Sequence, residues 1–576
     1  MIRHRYAITL LLLALQPAYA TGNLLIVGGG LRNDNAPIYN TFIEKAGGKD
    51  QAKIVIFPTA SSSLSSSKRF KADLEARGLK PENVVVLDLT TRNFETQNKN
   101  PDLVGQIDAA TGVWFVGGDQ ARIAKALINK DGTDSPALSA VKKLYLNRDG
   151  VIGGTSAGAS IQSALMPSSF GIPMDTLDYG IAPRLDMRGV NISRGLGFFT
   201  AGIVDQHFNT YDGRHARMAR YLIETKTPYG YGIEENTAML VGPDGKINVL
   251  GFSGVTLMDA SKATLKDAAL GVTINNIDLT YLQTGDSYDP ATKTVTINAA
   301  KSLIAPGDEY GNGNRLVTDL SQPNAITQLI TYGLVDNTAT QAKGLFLRYN
   351  GNYSYGYEVT FSKTPETQGF YGSVAGVDGY AFKHVRMDLE PITGNRMAPE
   401  GPADLNRTQY PTEVSAVAFR GILPPDQNGK FNPRLKLTRG ELAGALTYLT
   451  LATPDKPVDL TDVAKDNASW ADIQSAISFK FMAPQGTEFM PDVPVSRADF
   501  AQALFEAYDL YQQMGLKEAD LSVSDASKIA EGQQKAVAAV LAAGLMMDKN
   551  GRFDPKGTVS REEAAYSLYR LVGFQF

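Results

Sequence analysis

The chain contains no cysteine. That excludes disulfide staples, a thiol nucleophile, a cysteine-ligated zinc site and a lipidated N-terminal cysteine. Histidine is scarce as well, with His4, His207, His215 and His384 the only four in 576 residues. Charge of either sign is not in excess: 56 Lys and Arg stand against 60 Asp and Glu, a net −4, which is no signature of nucleic-acid binding. Beyond the first twenty residues no apolar run is long enough to span a bilayer, so no transmembrane segment is expected. No H-E-x-x-H or similar zinc spacing occurs, and the chemistry read below needs neither metal nor cofactor.

What is present begins with a tripartite leader. Arg3 and Arg5 precede the apolar run Ala7 to Leu15, and Ala18-Tyr19-Ala20 supplies an A-x-A cleavage signal. This pattern predicts a secretory signal peptide over residues 1–20 and a mature start near Thr21. The remaining length exceeds one hydrophobic core and implies several domains, with the 43% hydrophobic and 20% charged composition of a soluble globular protein.

From Asn23 to about Ala260, short β-branched runs alternate with helical stretches. "LLIVGGG", "AKIVIFPTA", "NVVVLDL", "GVWFVGGDQ" and "GVIGGTSAG" have the continuous apolar character of buried parallel strands, most ending in glycine or small polar residues. "YNTFIEKAGG" and "SKRFKADLEARG" have helical spacing and end in glycine. The alternation predicts an α/β sandwich around a parallel sheet, whose ligands bind beyond the carboxyl ends of the strands. A β-rich, tyrosine- and glycine-rich extension follows at about 272–391, either completing this domain or standing alone. The polar, proline- and glycine-rich stretch at about 396–413 reads as a linker.

A motif then recurs three times over 414–576. Phe431, Phe489 and Phe553 are each followed seven residues later by Thr438, Ser496 or Ser560, and three residues after that by Glu441, Asp499 or Glu563. Thr438/Glu441 and Ser560/Glu563 fit the capping box of a helix start, and Ser496/Asp499 is a near match with a shorter acid. These repeats, pairing F-x-P with a T-R-A-E-like helix start, resemble surface-layer homology modules, more specifically in the second and third copies than in the first. The resemblance implies a C-terminal α-helical repeat domain that binds cell-wall polysaccharide; the plainer reading is a helical repeat without wall affinity.

One serine stands out in "VIGGTSAGAS". Ser156 lies between a glycine-ended strand and the start of a helix, where first-turn amides can face an oxyanion and small neighbours let substrate approach. A serine hydroxyl needs a base, and the base needs an orienting group. His207, His215 and His384 are the candidates. His207 closes the run "FFTAGIVDQH" as a strand-end residue would, whereas His215 lies in a basic helical segment and reads as surface or substrate-facing. G-x-S-x-G taken literally suggests an α/β-hydrolase, whose order is Ser, acid, His; here an acid in "YGIEENTAML" would follow His207, which argues against that fold.

"PTAS", "GGDQ", "GTSAGA", "DQHF" with arginines after it, and "GIEENTA" occur in the order found in cyanophycinases, relatives of the aspartyl dipeptidases, and over this region the chain resembles them. The resemblance implies a sandwich of the class-I glutamine-amidotransferase-like type within residues 21–395. It implies Ser156 as nucleophile, His207 as base and Glu235 as acid. Gln120, Asp205 and Gln206 would shape the substrate site, and the amides of Gly118 and Ala157 would form the oxyanion hole. Glu234 stands where the family often has Asp. The family's R-x-R-x-x-R cluster corresponds here to Arg214, His215, Arg217 and Arg220, with Arg214 replacing the first arginine. The implied activity is hydrolysis of cyanophycin, a poly-aspartate carrying arginine on its side chains, to β-Asp-Arg dipeptides at the cell surface. The alternatives are a secreted peptidase for other aspartyl or isopeptide substrates and a non-catalytic surface binding protein. Three arginines at intervals of three could also be a solvated helix face.

Overall fold

The computed structural model describes residues 20–168, 172–182, 188–210, 213–268, 271–350, 353–393, 401–419, 421–450, 457–467, 469–512 and 519–572. The expected leader, except for Ala20, and the first part of the expected linker lie outside the described residues.

Five strands, β1 (Asn23–Val27), β2 (Ile54–Phe57), β3 (Val84–Val86), β4 (Gly112–Phe115) and β5 (Val151–Thr155), lie parallel in the order β1-β5-β4-β2-β3. Their apolar character is explained by burial on both faces, with β2 and β4 buried at every position. The connecting helices start on polar caps followed by proline. Asn35, Asn100 and Ser135 each accept a backbone amide, and Pro37, Pro101 and Pro136 occupy the first turn where no amide partner is needed.

The sheet is not parallel throughout. Beyond β1 the strands Thr237–Val241, Ile247–Gly251, Ser287–Asp289 and Thr294–Thr296 add in antiparallel order, making nine strands in all. The expected parallel-sheet sandwich is therefore a mixed one. The reason is connectivity: among the described residues between Thr237 and Thr296 no helix supplies the crossover that a parallel pair requires.

A second, ten-stranded sheet includes Ile203–Asp205, Tyr229–Ile233, Gly254–Asp259, Gly271–Gln283, Gln341–Asn350, Tyr353–Val374 and Val377–Thr393. The β-rich segment thus extends a sheet begun by residues 203–259. Once the second sheet has begun at Ile203, the chain changes sheets at 234–236, at 252–253, at 284–286 and at 297–300, so the two layers share their connections.

The three repeats close into a ring around one core containing Phe431, Phe489 and Phe553. Short bridges Lys436↔Ser560, Thr438↔Pro494 and Ser496↔Thr558 join them centrally. The arginine after each capping hydroxyl reaches into another repeat. Arg439 Nε donates to the Phe489 carbonyl (2.7 Å), Arg497 Nε to that of Phe553 (2.7 Å) and Arg561 Nε to that of Phe431 (2.8 Å). Each guanidinium also lies over the ring of the same phenylalanine, at 4.7, 5.0 and 4.7 Å. The capping boxes form at Thr438/Glu441 and Ser560/Glu563, where each carboxylate accepts the cap amide at 2.9 Å. Asp499, one methylene shorter, accepts the Ser496 hydroxyl instead (2.8 Å).

Residues 401–413, read from composition as linker, include Asp404, which accepts the amides of Phe431 (2.7 Å) and Asn432 (2.9 Å). Asp462 and Asp525 hold the equivalent amide pairs of the other two copies. The repeat unit packs on the preceding α/β part through Tyr448. Arg188, held by Asp175 at 3.0 Å, lies 3.6 Å over the Tyr448 ring, and Arg348 donates to its hydroxyl at 3.0 Å.

Because Arg497 is almost fully buried and also donates to the Met547 carbonyl (2.6 Å), its loss strands two carbonyl acceptors of the third repeat. Arg497→Ala is expected to destabilise the repeat unit by about 3 kcal/mol. Hydrogen exchange of the repeat amides, compared with wild type, measures it.

Candidate active site

β5 ends at Ser156, which takes φ 57° and ψ −114°, and a one-turn helix, Ala157–Ser160, follows. This is a conformation that a residue with a side chain rarely adopts. The turn closes only with glycine around it. A Cβ on Gly154 would lie 2.3 Å from the Gly158 carbonyl oxygen, and one on Gly158 would lie 2.1 Å from that of Phe115. The Ser156 amide is fixed by the β1 carbonyl of Val27 at 3.0 Å.

His207 follows the strand Ile203–Asp205 and also has positive φ, 49°. Its amide donates to the Gly28 carbonyl at 2.7 Å. His207 Nε2 lies 2.8 Å from Ser156 Oγ, and Nδ1 lies 2.5 Å from Glu235 Oε1. Glu235 stands on the turn 234–236, where the chain crosses from one sheet to the other. The next residue, Asn236, is held by the Asn35 side-chain amide, at 2.8 Å to its carbonyl and 3.0 Å to Oδ1.

The glycines ending β1 make this approach possible. A Cβ on Gly29 would sit 2.3 Å from His207 Cε1, and one on Gly30 would sit 2.7 Å from Glu235 Oε2. By its sequence alone "GGG" marks a strand end. Three consecutive glycines at the carboxyl edge of a buried strand were the signal that side chains from elsewhere come close there. Asn35, an ordinary helix cap by sequence, was also missed in its role as a brace.

The serine and histidine open onto a cavity of about 640 Å³. Ala60, Ser61, Gly118, Gln120, Gln206, Arg214 and Arg217 line it with them, as do Ser62, Asp119, Arg122 and Ser168. Gln120 is placed by donating to the Pro167 carbonyl at 2.5 Å. Gly118, at φ 142°, borders the cavity, and Ala157 is the first residue of the helix after Ser156.

Asp205 does not reach the cavity. It is fully buried and accepts Arg217 Nε at 2.9 Å, Arg217 Nη2 at 2.6 Å, Arg214 Nη1 at 3.2 Å and the Tyr221 hydroxyl at 3.2 Å. The two guanidinium groups overcome the burial penalty and hold its carboxyl below the ordinary value. Arg220 is buried too, bonding Glu224 at 2.5 Å and the Leu177 carbonyl at 3.2 Å, and it does not line the cavity. The helix Arg214–Thr225 that carries them has a buried charged face, neither a solvated stripe nor an open substrate clamp.

His215, expected at the surface or facing substrate, is fully buried against Phe208 with ring centroids 4.3 Å apart. Desolvation pushes its pKa down to about 3, so it stays neutral. His384 is half exposed and pairs with Asp278 at 2.9 Å, away from Ser156. Of the three candidate bases, His207 alone touches the serine. Among the described residues no group of three or more acidic or histidine side chains is arranged to hold a metal ion, and no helix is long and apolar enough to cross a membrane.

Chemically, the geometry allows His207 to accept the Ser156 proton while Glu235 fixes the imidazole. Burial lowers the His207 pKa, Glu235 raises it through its hydrogen bond and charge, and Arg214 lowers it again; the net direction is down. A base must be unprotonated, so a lowered pKa keeps it active further into acid. The acid limb of kcat/KM is expected to have its midpoint below about 6.5, the ordinary histidine value. A pH–rate profile of the free enzyme measures it.

The Asp205 network generates a second expectation. Arg217→Ala takes from a buried carboxylate its closest ion pair and two of its hydrogen bonds, which costs about 3–5 kcal/mol of fold stability. Chemical denaturation is expected to register that loss, in contrast to the small effect of deleting a solvated surface arginine.

Residues 24–249 match the family description Peptidase family S51, and residues 404–443 and 524–565 match the S-layer homology domain. The two matched repeats are the first and third copies, so the first is more typical than its Thr-Arg-Gly-Glu start suggested. A cyanophycinase of Synechococcus elongatus is 28% identical over 263 residues, covering 45% of this chain and 76% of that protein. One of a Nostoc species is 28% identical over 291 residues, covering 49% of this chain and 91% of that protein. The surface-layer 125 kDa protein of Lysinibacillus sphaericus is 25% identical over 167 residues, 28% of this chain and 14% of that protein.

Proposed function

We propose, for a chain that fits the cyanophycinase family of peptidases with C-terminal S-layer homology domains, a secreted serine peptidase held at the cell surface. The observation that carries the catalytic part is the continuous line Ser156 Oγ–His207–Glu235, with contacts of 2.8 and 2.5 Å, at the mouth of the cavity. The strained serine turn on a parallel strand supports placing the fold with the class-I glutamine-amidotransferase-like enzymes.

In this reading Ser156 Oγ transfers its proton to His207 Nε2 and attacks the scissile carbonyl carbon. Amides of Gly118 and Ala157 receive the oxyanion. The tetrahedral adduct collapses, the carbonyl–nitrogen bond breaks, and His207 returns the proton to the leaving amine. Water, deprotonated by the same histidine, then releases the acyl group and restores Ser156. Gln120, Gln206, Arg214 and Arg217 border the substrate. Arg217 acts while two of its nitrogens hold Asp205, so its contribution is a fixed positive charge more than a new fork. Arg122, with about two-fifths of its side chain exposed, adds a third positive group.

The substrate is cyanophycin and the product β-Asp-Arg dipeptide, in keeping with the name of the relatives. The S-layer homology domains support attachment at the cell surface, with cell-wall polysaccharide as the ligand in this reading.

The deciding experiment incubates the full-length protein with purified cyanophycin and identifies products by mass. Wild type should release β-Asp-Arg, and Ser156→Ala should lose activity by about a millionfold, to background. Activity confined to other aspartyl or isopeptide substrates would replace the substrate assignment. A Ser156 that resists a fluorophosphonate label would leave a binding protein.

A further inference from the structure

The described residues lining the 640 Å³ cavity all precede residue 218, so the β-rich segment gives the cavity no wall. It nevertheless reaches the turn that carries Glu235. Glu234 is 1% exposed, and its carboxylate faces into the second sheet. Its Oε2 accepts the Ser253 hydroxyl, the Gly254 amide at 3.0 Å and the Tyr281 hydroxyl at 2.8 Å, while Oε1 accepts the Thr327 hydroxyl at 3.1 Å. The Glu234 amide donates to the Gly254 carbonyl at 3.1 Å, so main chain and side chain are held together.

The four donors belong to different parts of the fold. Ser253 and Gly254 mark the second place where the chain changes sheets. Tyr281, buried and stacked on Phe382 at 5.5 Å, belongs to the strand Gly271–Gln283. Thr327 is on the helix Ala325–Ile330. A buried carboxylate is costly unless its lone pairs are satisfied. Here that requirement binds the acid turn to the β-rich segment. Within the same turn the Glu235 carboxylate lies 2.5 Å from His207 Nδ1, so the two adjacent acids face opposite partners.

We infer that Glu234 is a positioning residue that orients Glu235 toward His207, and that the β-rich segment takes part in catalysis through it, by way of Tyr281 and Thr327. This rests on the Ser156–His207–Glu235 reading given above. A displacement of Glu235 by about 1 Å is enough to lower turnover by up to about a hundredfold. It also removes a group that raises the His207 pKa, which moves the acid limb to lower pH.

The test uses the full-length protein with Glu234→Ala, Glu234→Gln and Tyr281→Phe, and Glu235→Ala as reference. Three properties are measured well below each variant's thermal midpoint: kcat and KM on purified cyanophycin, the rate of fluorophosphonate labelling of Ser156, and the acid limb. Glu234→Ala should lower kcat and the labelling rate about 10- to 100-fold with KM unchanged, and shift the acid limb downward. Tyr281→Phe should do the same by about 3- to 10-fold, since one hydrogen bond to the carboxylate is lost. Glu234→Gln keeps an oxygen acceptor for the Ser253, Gly254 and Tyr281 donors and should recover most of the loss. If Glu234→Ala does not fold, Tyr281→Phe decides. Wild-type kcat, labelling rate and acid limb in these variants, however far their thermal midpoints fall, would overturn the inference while Glu235→Ala stays inactive. Full activity in Glu235→Ala would instead overturn the triad reading itself.

Discussion

The arrangement depends on bringing a histidine and a glutamate across the carboxyl edge of β1 without side chains in the way. Ser156 is fixed to Val27, His207 to Gly28, and Asn236 donates its amide to the Gly29 carbonyl at 2.8 Å, so three distant segments are registered on consecutive carbonyls, the last of β1 and the two just after it. A hydrogen-bonded line of three side chains needs each donor–acceptor distance right within a few tenths of an ångström. Backbone anchoring on one rigid strand supplies that accuracy, because a central strand is the least mobile part of a sheet. The glycine run then becomes a geometric necessity: the strand must give its carbonyls to neighbours while leaving the space above them empty.

Some of this was open to a reader of the sequence, and the difference is physical. β1–β5 announce themselves because strands buried on both faces leave no polar alternation to confuse the pattern. Ser156 and His207 could be picked out because each residue type is tied to its chemistry and the chain has so few histidines. The Thr438/Glu441 and Ser560/Glu563 boxes were readable because capping is local, spanning four residues. The burial of Arg217 and Arg220 was not readable. Whether three arginines face solvent depends on Asp205, Glu224 and Leu177, partners from other segments or from one turn further along the same helix. The antiparallel half of the first sheet was hidden for a similar reason. Adjacent strands in sequence enter different layers, and no local pattern marks the residue at which a chain changes sheets.

The repeats illustrate how a closed arrangement changes what a repeat must provide. An open stack leaves apolar faces at both ends and needs atypical capping units. Here Arg439, Arg497 and Arg561 each bond the next phenylalanine carbonyl in a cycle, so no copy is terminal. That symmetry also explains why Asn432, Met490 and Asp554 share a φ of 57°. Each follows a phenylalanine at a loop whose two amides converge on one aspartate, and the left-handed turn is what lets both amides reach it.

A chain without cysteine must hold its loops by other means, and buried or half-buried carboxylates take that part throughout. Asp286 accepts the amides of Gln283 and Asn298, both at 2.9 Å, and pairs with Lys301 at 2.5 Å, closing the third crossing between sheets. Asp178 accepts the hydroxyls of Tyr355 and Tyr357, and Asp175 gathers Arg188 and Arg348 where the repeat unit meets the α/β part. A disulfide constrains chiefly the unfolded chain, whereas a carboxylate with several donors specifies one folded geometry and is penalised in any other. That difference matters for a site that depends on registering three segments. Loops held by multi-donor carboxylates are fixed in orientation as well as in proximity, and in the turn 234–236 the Glu234 carboxylate does this beside the Asn35 side chain and the Gly29 carbonyl that hold Asn236.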